Sequence, residues 1–117
     1  MTQSQKITTI NLSIPITVNR IADLLACSIE GGSNYWAAFS TPHNDFYDLA
    51  HIEWELIVHD KFTNKLYILT LQRLHNALHI MALSYPTHLK EFLNEKEDAQ
   101  TGDILLQLAT FNSLLYN

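Results

Sequence analysis

Two runs in this chain carry more hydrogen-bonding side chains than a turn or a helix end needs. The first, Glu30-Gly31-Gly32-Ser33-Asn34-Tyr35-Trp36, joins a helical pattern directly to a strand pattern. Glu30, Ser33 and Asn34 supply donors and acceptors, and Tyr35 and Trp36 supply flat apolar surfaces with a polar handle. That chemistry suits recognition more than catalysis. Gly31 alone suffices for a left-handed helix stop, so Gly32 points to a second positive-φ position or to the close approach of another backbone or a ligand. A turn by itself also explains the doublet. The second run reaches from Glu97 to Asp103, with Gln107 one turn later. Glu97, Asp98 and Asp103 fall near a helix start, where carboxylates cap free amides and complement the helix dipole. Capping is their default role. The density of polar groups, with Thr101 and Gln107 added, also suits docking of a cationic partner.

Other chemistry is weaker. His75 and His79 stand four apart on a helical stripe, the spacing of zinc-binding helices, but Asn76 stands where a metalloprotease motif needs glutamate. A core histidine is the plainer reading of His75. His51, Glu53, Glu55 and His59 alternate along a strand pattern, as the solvent face of an antiparallel sheet does. Cys27 has no cationic neighbour in sequence to lower its pKa and reads as a packed thiol. Glycine-rich phosphate loops and a serine nucleophile elbow are missing, and Asp45/Asp48 and Glu53/Glu55 show no partner geometry for acid–base work. The expectation is a chain with no catalytic residue, no metal and no cofactor.

These groups need elements to hold them. Residues 6–14 place Ile10, Leu12 and Ile14 at alternate positions, the period of a half-buried strand. From Val18 the spacing turns helical, with Thr17 as N-cap and Gly31 as stop. Strands are expected over residues 34–40 and 51–59, the second joined by a polar loop of about five residues to Leu66, Ile68 and Thr70. Helices are expected over residues 71–85, 87–94 and 103–116, separated by Pro86 and the acidic connection. The sum is a two-layer α+β domain with a mainly antiparallel four-stranded sheet, in the order βαβββααα. The helices from Leu71 and Asp103 are apolar on several faces. They are expected to cover one another within the monomer, with a homodimer through these helices as the alternative.

Composition sets the frame. The 117 residues suit one domain over residues 1–117, with residues 1–5 a polar, flexible start. The chain is 47% hydrophobic and 16% charged, which separates it from disordered chains. Twelve acidic against seven basic side chains leave a net charge of −5, which disfavours direct nucleic-acid binding. The lone cysteine excludes an internal disulfide, and no apolar run reaches the length of a membrane span. A soluble cytoplasmic protein is expected.

The pairing of the EGGSNYW run at Glu30 to Trp36 with the acidic run through Asp103 and on to Leu105-Leu106-Gln107 resembles a group of small phage and prophage accessory proteins. These carry a GGSNYW turn and a C-terminal segment of the form DAxTGDxxLQ. The likeness covers both ends of the chain and little of residues 40–85. The ending Phe111 to Asn117 departs from the glycine found near the terminus in that group. The resemblance implies an accessory protein of a phage or mobile element, a class that includes inhibitors of host defence such as anti-CRISPR proteins. It supplies no catalytic residues. The expected partner is a bacterial host protein with a basic surface, bound in the host cytoplasm. Asn34, Tyr35 and Trp36 are expected as anchors, flanked by Glu95, Glu97, Asp98 and Asp103, which can also mimic nucleic-acid charge in part. A small-molecule sponge for a nucleotide or signalling molecule, with both runs lining one pocket, and a self-assembling phage component are the alternatives.

Overall fold

The computed structural model describes residues 7, 8, 10, 12–42 and 45–117. Helix α1 (Val18–Cys27) begins at Thr17, whose side chain accepts from the Arg20 amide. It runs on into a π-helical turn, Ser28–Gly32. Strands β1 (Ala37–Ser40), β2 (Leu56–Asp60) and β3 (Leu66–Leu69) form one antiparallel sheet in that order. Helices α2 (Leu71–Ser84), α3 (Pro86–Leu93) and α4 (Ala99–Phe111) complete the chain.

The expected four-stranded sheet and its order are therefore corrected: among the described residues the sheet has three strands and α1 comes first. The described part of residues 6–14 belongs to no strand, and Ile10, Leu12 and Ile14 are exposed. Alternation makes a segment fit to be a strand, but a strand also needs a neighbour to bond to. The strand expected over residues 51–59 starts only at Leu56. Residues 48–54 turn instead, with the His51 amide on the Asp48 carbonyl and the Trp54 amide on the His51 carbonyl. His51 and Glu53 thus leave the polar strand face they were expected to share with Glu55 and His59. In the last helix the start moves back to Ala99, because Asp98 accepts from the Thr101 amide and caps it there. It ends early at Asn112, which takes the left-handed conformation.

One face of the sheet is inside. The register sets Leu56 opposite Leu69 and Val58 opposite Tyr67 and Phe39, and Leu56, Val58 and Leu69 are fully buried. The other face carries Ile57 opposite Ile68 and His59 opposite Leu66, with both β3 side chains exposed. Helix α4 is the centre of the body. Every residue from Thr101 to Thr110 is buried, and the helix is packed by α1, α2, α3, the π turn and β3. That placement answers its all-round apolar character within one chain. No helix among the described residues is long and apolar enough to cross a membrane.

Candidate functional site

The two polar runs meet, and glycine makes the meeting possible. A Cβ on Gly32 would collide with the Ala99 carbonyl, and one on Gly102 would come within 2.6 Å of the Ser28 amide nitrogen and 2.8 Å of the Cys27 carbonyl carbon. The π turn and the first turns of α4 therefore cross backbone to backbone. The expected left-handed stop at Gly31 is corrected: its φ is 173°, and no glycine among the described residues lies in the left-handed region. Gly32 fits the other half of the expectation, close approach of a second backbone. The widened turn brings the Ser33 amide onto the Ser28 carbonyl at 3.0 Å.

At this crossing Asp103 is buried and surrounded by donors. Its Oδ1 accepts from the Ser33 hydroxyl at 2.8 Å and the Trp36 indole at 2.7 Å. Oδ2 accepts from the Tyr35 hydroxyl at 2.6 Å and Gln107 Nε2 at 3.0 Å. Ser33 in turn shares a 2.6 Å bond with the Ser28 hydroxyl. A carboxylate so far from water is tolerable only when its lone pairs are filled in this way. Burial and the Asp103 carboxylate both push the Tyr35 phenol above its ordinary value, which keeps it a donor.

Gln107 extends the network to the chain's end. Its Oε1 accepts from the amides of Leu115 and Tyr116, and its Nε2 donates to the Tyr116 carbonyl at 2.9 Å. The tail is thereby folded back so that the Tyr116 ring lies 5.5 Å from Trp36 and 5.1 Å from Phe62. The Tyr116 hydroxyl donates to Asp60 Oδ2 at 2.7 Å, a bond that pushes its pKa up to about 12. Burial alone would raise the Asp60 carboxyl, but that bond and the amides of Phe62 and Thr63 hold it below its ordinary value.

The expected site residues divide by this geometry. Ser33, Trp36, Thr101, Asp103 and Gln107 are buried, so their side chains face the interior and not a partner. Trp36 in particular is 0% exposed, which corrects its expected role as a surface anchor. Asn34 and Tyr35 stay at the surface, Tyr35 at 44%. Glu30 is exposed and accepts from the Tyr47 hydroxyl at 2.7 Å. Asp98 caps α4, where the Thr101 amide holds its carboxyl below the ordinary value despite partial burial. Glu97 is half-buried and neutralised. Arg20 grips it with two bonds, 2.7 Å and 2.9 Å, while also donating to the Phe92 carbonyl and stacking over the Phe92 ring. The Arg20 bond lowers the Glu97 pKa and raises that of Arg20. Glu95 is exposed, in left-handed backbone.

Sequence reasoning missed Arg20, Asp60, Phe62, Leu115 and Tyr116. Asp60 had a signal, since an aspartate opening a polar turn favours bonds to the amides that follow. Arg20 had none, because its partner lies 77 positions away. Cys27 is half-buried, and burial together with Glu97, Asp98 and Asp23 pushes its thiol up, away from reactivity. His75 and His79 line a cleft of about 310 Å³ between α2, α3 and residues 12–16, so His75 is not sealed in the core. Among the described residues no three His, Cys, Asp or Glu side chains stand where they could share a metal ion. A further cleft of about 830 Å³ lies between residues 49–55 and the start of α2, and one of about 400 Å³ beside Arg20. None of the three is lined by the Glu30 to Trp36 run or by α4. Where the two runs meet they are packed backbone to backbone. No family model, no curated protein and no solved structure matches the chain.

Proposed function

We propose that the chain is a non-enzymatic binding protein that occupies a protein partner through the face formed by Asn34, Tyr35, Phe62, Leu115 and Tyr116. One observation carries this reading. The Tyr35 ring stands half in solvent while its hydroxyl is tied at 2.6 Å to a buried carboxylate. An aromatic side chain immobilised before contact loses little entropy on binding, which is the property of an interface anchor. Phe62, Leu115 and half-buried Tyr116 extend the same surface, and Lys61 reaches the Asn34 carbonyl at its rim. With every acceptor position of Asp103 engaged, the polar network supports this face and offers no free base to a reaction.

The resemblance to phage and prophage accessory proteins supplies the partner class: a bacterial defence protein, met in the host cytoplasm. The net charge of −5 favours a partner with a basic surface. Tagged protein is used to capture its partner from a lysate of bacteria rich in defence systems, and affinities are then measured with the isolated partner. Phe62→Ala is expected to keep the fold and weaken binding by about thirtyfold, the effect of losing roughly 2 kcal/mol. A wild type that retains nothing, or equal affinities for Phe62→Ala, Asn34→Ala and Leu115→Ala, overturns the reading.

A further inference from the structure

The cleft of about 310 Å³ between α2, α3 and residues 12–16 combines an apolar floor with two polar groups that the fold does not use. Eight of its ten lining side chains are apolar, with Ile21 of α1 and Leu78 of α2 buried at its base. Its walls are open to water, Ile14 at 53% exposed and Leu93 of α3 at 38%. The other two lining side chains are His75, half-buried, and His79, exposed. They stand four residues apart on α2, so they fall on the same side of the helix and reach the same space. No described residue hydrogen-bonds to either imidazole, and no carboxylate or ammonium group lines the cleft.

Apolar walls with a few convergent polar groups are the makeup of a small-molecule site. The two rings set the head of the ligand. Each imidazole donates one N–H and gains a second when protonated, so a pair facing one space favours a group that only accepts and carries negative charge. A carboxylate meets that demand with one oxygen for each ring. An ammonium head is disfavoured, because the lining offers it no carboxylate. The walls set the tail. An adjoining cleft of about 400 Å³ shares Ile14, Ile16 and Leu93 and adds Phe92, so the apolar surface continues beyond the histidines. The cation lining that second cleft, Arg20, is already held by Glu97, Asp23 and the Phe92 carbonyl, which leaves recognition of the head to the histidines. We propose that this cleft binds a medium-chain carboxylate, with its oxygens on His75 and His79 and its alkyl chain on Ile21, Leu78, Leu89 and Leu93. The site shares no residue with the face of Tyr35 and Phe62.

The test is calorimetric titration of the full chain with octanoate, beside octanol, butyrate and zinc chloride as separate probes. Octanoate is expected to saturate a single site and to raise the melting temperature. Octanol keeps the chain without the charge, and butyrate keeps the head with little chain, so each is expected to bind about tenfold or more weakly than octanoate. His75→Ala and His79→Ala are each expected to weaken octanoate about tenfold and to leave octanol unchanged, a split that a general loss of packing does not produce. Ala82→Trp, at an exposed position on the rim, fills the cleft and is expected to abolish binding of both while the circular dichroism spectrum is kept. The comparison of octanoate, octanol and butyrate needs no variant and decides the matter if one misfolds. A wild type that takes up no octanoate, octanol bound as tightly as octanoate, or octanoate binding that survives loss of both histidines overturns the proposal. Zinc held by the two histidines of a chain that takes up no octanoate identifies a metal chelate and overturns it as well.

Discussion

Two regions of this molecule invert the usual partition of side chains. At the crossing of the π turn and α4 a carboxylate, two hydroxyls, an indole and an amide are buried together. Along the described part of residues 6–14 and on the outer sheet face, isoleucines and leucines stand in water. Burial here follows partnership and not polarity. Asp103 is inside because its neighbours meet its lone pairs, and the buried network then admits only one arrangement of the crossing chains. Leu12 and Ile68 are outside because, among the described residues, no apolar layer covers their side chains.

The largest effect that would break this contrast is expected at the glycines. Gly102→Ala puts a methyl group against the Ser28 and Cys27 backbone and should cost about 3 kcal/mol or more, read as a fall in melting temperature. Gly31→Ala is the control. Its Cβ meets nothing within 4 Å, so the steric clash is removed and the loss should be clearly smaller than at Gly102. Equal losses at both positions would remove the backbone crossing as the reason for Gly102.

Next comes the network itself. Asp103→Ala strands the donors of Ser33, Tyr35 and Trp36, and a loss of roughly 3 kcal/mol in urea unfolding is expected. A loss below about 1 kcal/mol would mean that water replaces the carboxylate easily.

A smaller effect is expected at Arg20, whose pair with Glu97 is only part-buried. Arg20→Ala should cost about 1 to 2 kcal/mol. The pH dependence has a definite sign. Glu97 and Asp98 titrate below their ordinary 4.5 and 3.8, so their contribution is full above those values and is lost as pH falls through the lowered ones. Acid unfolding of wild type should therefore steepen below about pH 4, and Arg20→Ala should blunt the Glu97 part. An acid limb identical in both proteins would sink this assignment.

The smallest effect lies on the exposed side. Replacing Ile10 and Leu12 by lysine should shift the stability of the dilute chain by no more than about 0.5 kcal/mol, although these are large apolar residues. A larger shift would show that these two side chains bury more apolar area in solution than their exposure of 72% and 77% implies.

Much of the local structure was legible in the residues. Thr17 and Thr70 cap their helices as their positions imply, Pro86 opens α3, and the polar loop at residues 61–65 joins β2 to β3. The two runs were also recognisable as unusual, through their glycines and their density of polar groups. Their purpose was not legible. Gly102 precedes the helix expected over residues 103–116, yet it lies inside α4, where the backbone of Cys27 and Ser28 leaves no room for a side chain. Trp36 looked like an anchor for a partner, yet it is buried against Phe111 and Tyr116 with its indole on Asp103.

The amino-acid order alone determined what depends on neighbours within a turn or two: capping, periodicity, the hairpin and the stops set by proline. Tertiary structure decided what depends on residues far apart. It joined Asp103 to Tyr35 and Trp36, Arg20 to Glu97 and Tyr116 to Asp60, and kept the described residues of the alternating segment 6–14 out of the sheet. The physical reason is that a hydrogen-bonding group or an apolar side chain states a need, and only the folded chain brings, or withholds, the group that meets it.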